Sequence, residues 1–69
     1  MTTAGDRHET YFAAMRDADA ALDDALGHVR AEQDAGRITP AEAAAERVGL
    51  LERHIAEGQR LRRELLGGA

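Results

Sequence analysis

Gly36-Arg37-Ile38-Thr39-Pro40-Ala41-Glu42 holds the end of one helix and the start of another. Thr39 offers a hydroxyl to free backbone N–H groups, and Glu42, three residues on, can reach back to the N–H of Thr39. Together they read as a capping box. Pro40, the single proline of the chain, falls at the first helical position, where its missing N–H costs nothing and its fixed φ suits the helix. Gly36 stands where a preceding helix would end in the left-handed conformation, which glycine enters without a steric penalty. A connection this short joins antiparallel neighbours. The segment predicts a two-helix antiparallel hairpin, with helices over about residues 7–35 and 40–66.

Upstream of the turn, Asp6 followed by Glu9 is a weaker start signal. His8, Tyr11, Met15, Ala18, Leu22, Ala25 and Val29 then recur at alternating spacings of three and four, a heptad seam. Phe12 and Leu26 widen the stripe on one side, while Asp17, Asp23 and Asp24 fall on other faces. Gly27 is the one weak point, costing about 1 kcal/mol relative to Ala. A break there would give the alternative of a three-helix monomer.

Downstream, Ala44, Val48, Leu51 and Ile55 form one stripe, and Leu50, His54, Leu61 and Leu65 lie beside it. Gly49 and Gly58 interrupt the helix and are places where another backbone could approach closely. An antiparallel hairpin pairs residues whose numbers sum to about 75. That sets Asp17, Asp19, Asp23 and Asp24 alongside the stretch holding Arg53 and Arg60. The reading is one domain over residues 1–69, with frayed ends at 1–5 and 67–69.

The composition limits the core. Of 69 residues, 15 are Ala, and the large apolar side chains also number only 15. A domain this small is marginal without a staple. With no Cys there is neither a disulfide nor a thiolate metal cage. Oligomerisation is the remaining route. The apolar arcs are wide enough to meet more than one neighbour. Two hairpins are therefore expected to dimerise into a four-helix bundle. Its core would hold Leu22, Leu26, Val29, Val48, Leu51 and Ile55, with Tyr11, Phe12, Met15, Leu61 and Leu65 completing the interface set.

Charge and residue usage exclude function classes. Nine Arg and no Lys against 13 acids leave a net charge of −4, where a nucleic-acid binder of this size would be basic. Without Ser, Cys or Lys, the usual nucleophile triads, Walker A sites and Schiff bases cannot be built. The chain reads as non-enzymatic. The three histidines, His8, His28 and His54, lack the Glu-x-x-His pattern of a di-iron bundle. His54 alone is flanked by core positions in mid-helix. It could be a pH-sensitive or metal-binding group, but the reading preferred is a boundary His bonded to a carboxylate or water. No cofactor or metal is expected. The stretch is too short in apolar residues for a membrane span, and the polar start lacks the regions of a signal peptide. A soluble, cytoplasmic protein is expected.

Two local features remain. Arg60, Arg62 and Arg63 form a basic cluster that could grip an anion or an acidic partner, although cations near a helix C-terminus also suit the macrodipole. Tyr11 and Phe12 are adjacent and point about 100° apart. Both are expected to seal the end of the bundle, and they would be the first hot-spot residues if a partner binds there.

The run Gly36-Arg37-Ile38-Thr39-Pro40-Ala41-Glu42, with Val48, Leu50 and Leu51 after it, resembles the short helical modules of bacterial proteins typified by the short C-terminal (SHOCT-like) domain. The resemblance covers roughly residues 26–52. The aromatic usual after the glutamate is Ala43 here. Residues 51–66 are also similar to the dimerising helix of MerR-type regulators, with no DNA-binding domain before them. What the resemblance implies is oligomerisation or protein contact without catalysis. The function expected is that of an adaptor, regulatory subunit or inhibitor, associating with itself as a homodimer and with another protein. A nucleic-acid-associated regulator using the Arg cluster is the alternative.

Overall fold

The computed structural model describes residues 4–67, and consists there of two helices, α1 (Ala4–Asp34) and α2 (Pro40–Leu65), packed against each other. As residue numbers rise along α1 they fall along the facing stretch of α2: Gln33 meets Arg47, Asp19 meets His54 and Met15 meets Gly58. The pair is an antiparallel hairpin, and the facing numbers sum to between 73 and 80. α1 runs unbroken through Gly27, where a Cβ would meet nothing within 4 Å. The three-helix alternative is therefore not what forms. α1 also begins at Ala4 rather than near residue 7, and Asp6 lies inside its first turn instead of capping it. The expected fraying of residues 1–3, 68 and 69 lies outside the described residues.

The turn is built as its side-chain chemistry dictates. Gly36 has φ of 77°. Its N–H donates to Gln33 O at 3.0 Å and the Arg37 N–H donates to Glu32 O at 3.0 Å, the two bonds of a Schellman motif. Where that motif usually adds an apolar contact, Arg37 Nε instead lies 2.6 Å from Glu32 Oε2. Two residues on, the Glu42 N–H donates to Thr39 Oγ1 at 3.0 Å and the Thr39 N–H donates to Glu42 Oε1 at 2.9 Å. Both halves of the capping box are present, with Pro40 at the first helical position. Thr39→Ala removes one half, and about 1 kcal/mol of stability should go with it. A fall in melting temperature of about 4–8 °C is the expected reading.

The same box sets a pH dependence. The Thr39 backbone N–H, and after it the Thr39 hydroxyl, hold the Glu42 carboxyl below the usual glutamate range. A carboxyl depressed in the folded state contributes stability above its unfolded value and loses it as pH falls through its folded value. Glu42→Gln keeps a group that can reach back but loses that proton linkage. Its melting temperature should fall less between neutral and acid pH than that of the parent chain, and an identical acid loss would show that Glu42 contributes nothing to it.

Burial is concentrated beside the turn. Val29 is 4% exposed and Ala43 fully buried. Along α2 the positions directed at α1 are Ala43, Arg47, Leu50, His54, Gly58, Leu61 and Leu65, each buried or half-buried. The stripe of Val48, Leu51 and Ile55 is not among them; these side chains are 46–60% exposed. The two stripes differ by one residue, about 100° of helix rotation. The turn sets the phase, and it brings Ala43, one residue after the capping glutamate, directly under α1.

Two helices laid side by side leave much surface uncovered. The Cα radius of gyration is 15.8 Å and the principal extents are 53 × 18 × 9 Å, against a radius of about 11 Å for a compact domain of this length. The accessible surface is 5153 Å², whereas a compact monomer of this mass would expose about 4,200 Å².

Candidate interaction surface

The hairpin has two broad faces. One is grooved. Ala14, Ala18, Ala21 and Ala25 of α1 leave a trough against Leu50 and Leu61 of α2, a cavity of about 500 Å³ open to solvent. It continues toward the turn as a second recess of about 480 Å³ floored by Val29 and Gly49. Gly49 has only its own helix's Arg53 near it, at 3.9 Å. The close approach expected at the helix glycines occurs at Gly58 alone, where a Cβ would lie 3.4 Å from Met15 Cε.

The other face is ridged. Its edge is marked by the contacts that cross between the helices: His54 Nε2 lies 2.9 Å from Asp19 Oδ1, and Arg47 Nη1 donates to Gln33 Oε1 at 3.4 Å. Beyond that edge stand Val48, Leu51 and Ile55 on α2, with Leu26 and Phe12 on α1. Leu26 is half-buried, and the other four are the exposed large apolar side chains of the hairpin. Single exposed apolar residues need no explanation, but several on one face do.

The residues expected at one common interface thus divide into two groups. Met15, Leu22, Val29, Leu61 and Leu65, with Tyr11, are buried or half-buried in the seam within the hairpin. Phe12, Val48, Leu51 and Ile55 point away from it, with half-buried Leu26 beside them. Tyr11 and Phe12 part company, with ring centroids 5.7 Å apart and planes tilted by 57°. Tyr11 packs and Phe12 is left exposed, where both were expected to close the end together. His8 stands against Phe12, with centroids 6.4 Å apart.

The polar groups are mostly satisfied locally. His54 sits at the seam boundary, its side chain 21% exposed, with the Asp19 carboxylate beside its Nε2. Among the described residues no three His, Cys, Asp or Glu side chains cluster as metal ligands. Arg60 does not reach the aspartates of α1. Its guanidinium is held by Glu57 and Glu64 of its own helix, the Glu64 contacts being 2.9 and 3.0 Å. Glu57 and Glu64 lie at i−3 and i+4 from Arg60, spacings that bring side chains together on a helix. These bonds hold the Arg60 guanidinium charged and, from Arg60, keep the Glu57 carboxyl below the usual range. Arg62 and Arg63 lie in the last turn of α2, where a positive charge meets the free carbonyls.

Sequence reasoning missed three of these features: Ala43 as the most buried position, the Asp19–His54 pair and the Arg47–Gln33 bond. The signal that could have found them is the second heptad run of α2, 43-47-50-54, with a histidine and an arginine at seam positions. No helix among the described residues is long and apolar enough to cross a membrane. A scan of family models finds no match to the chain, and neither do comparisons with curated proteins and with solved structures.

Proposed function

We propose that this chain is a non-enzymatic protein–protein interaction module, an adaptor, regulatory subunit or inhibitor, that self-associates and through its remaining surface binds another protein. The observation that carries the reading is the unfinished state of the hairpin. Among the described residues two side chains are buried, Val29 and Ala43, while Phe12, Val48, Leu51 and Ile55 stand exposed. The surface exceeds that of a compact monomer by roughly 950 Å². A standard interface removes about 800 Å² from each partner, so one further hairpin would account for most of the excess. A dimeric four-helix bundle is the simplest such assembly. The resemblance of residues 26–52 to short oligomerising modules points the same way.

The nucleic-acid reading has less support. Glu57 and Glu64 already neutralise Arg60, which leaves Arg62 and Arg63 as the basic remainder on a chain of net charge −4.

Absolute mass by light scattering after size exclusion, across a concentration series, tests the proposal. A species of twice 7.4 kDa is expected. A helical monomer at every concentration would overturn the self-association reading.

A further inference from the structure

We propose that the stripe Ala44, Val48, Leu51 and Ile55 of α2 is the self-association surface, and that its occupant is the same stripe of a second copy, antiparallel, with Leu51 at the two-fold axis. The proposal rests on the self-association reading above and adds the helix, the face and the register.

Three observations lead to it. The first is which helix carries the apolar flank. On α2 the positions one residue beyond the seam are Ala44, Val48, Leu51 and Ile55. On α1 the positions one beyond Tyr11, Met15, Ala18, Leu22, Ala25 and Val29 are Phe12, Arg16, Asp19, Asp23, Leu26 and Arg30, so its two apolar residues are separated by three charged ones. Of the two helices α2 carries the continuous apolar strip in that direction, so a second copy lies mainly on α2, with Phe12 and Leu26 at its flank.

The second observation is the order of side-chain sizes. From Ala44 to Ile55 the strip reads small, β-branched, Leu, β-branched, at spacings of four, three and four, and Gln59 follows it. An isologous contact requires that residue i meet j while j meets i. Turned end for end about Leu51, the strip sets Val48 against Ile55. The large apolar side chains then meet in the middle of the contact. The alternating spacing is that of knobs packing into holes.

The third observation is charge. Arg62 continues the strip one heptad beyond Ile55. A parallel arrangement would bring two Arg62 guanidinium groups together. The antiparallel one separates them and carries each to the first turn of the opposite α2, where Glu42 stands. The exposed strip and the surface excess of roughly 950 Å² supply about the area that a stable dimer removes per partner.

The chain has no cysteine, so single cysteines are clean probes, and Leu51→Cys perturbs the fold little. Under mild oxidation Leu51→Cys should bridge two copies at least about tenfold faster than Asp23→Cys, because only thiols brought within a disulfide's short reach can pair. A mixture of Val48→Cys and Ile55→Cys chains should cross-link to each other faster than either does to itself. A dimer by mass in which Leu51→Cys bridges no faster than Asp23→Cys overturns this surface and leaves the self-association reading standing. Light scattering that finds only monomer overturns both.

Discussion

The Val29→Asp variant is expected to lose its helical circular dichroism at every protein concentration. Val29 is 4% exposed, opposite α2 and close to the turn. It is one of two side chains buried among the described residues of the hairpin. Placing a carboxylate there removes the valine's packing and puts a charge into the seam between the helices, for a combined cost of about 3–5 kcal/mol. A single small core rarely supplies more than about 3–5 kcal/mol in total, so the variant has nothing left to fold with. A sigmoidal melt near that of the parent chain would show that Val29 is not central to the packing.

The second large effect belongs to Leu51→Asp. Leu51 is 46% exposed in the hairpin, so its cost arises in the assembly. Burying a leucine is worth about 1.5–3 kcal/mol, and a two-fold contact loses it from both copies. The dimer should weaken by about 10²–10⁴-fold. Because the hairpin alone buries so little, its helicity should fall with the dimer at low concentration. A Leu51→Asp monomer that keeps full helicity would show that the hairpin stands without a partner. Measured together, sedimentation and circular dichroism separate the two variants. Val29→Asp acts through the seam within one chain, Leu51→Asp through the contact between chains.

These two residues also show where the fold was legible from residue order and where it was not. The turn could be read in full. Gly36, Thr39, Pro40 and Glu42 act through bonds to backbone atoms within a few residues, and each bond forms as its chemistry requires. The seam of α1 could be read because its large apolar positions follow one heptad. The face of α2 could not. Leu50 and Leu51 are both leucines in heptad series displaced by one residue, and periodicity ranks the two series alike. The phase of the turn decides between them, and it does so through Ala43, whose missing bulk lets the helices close. A side chain too small to register as core in a sequence thus selects which larger ones become core. The Asp19–His54 pair follows from the same phase. With the other stripe inward, His54 would have stood apart from α1. Arg60 did not meet the aspartates of α1 as its charge suggests, because Glu57 and Glu64 reach it first along its own helix.

The central claim is that folding and association of this hairpin are one process. The direct measurement is thermal unfolding, followed by circular dichroism over a wide range of chain concentrations. For a folded state that exists as a dimer, mass action raises the melting temperature as concentration rises, and that rise is the predicted result. A cooperative transition whose midpoint stays the same at every concentration would contradict it, since it would mean that the isolated hairpin, with Val48, Leu51 and Ile55 in water, is stable by itself.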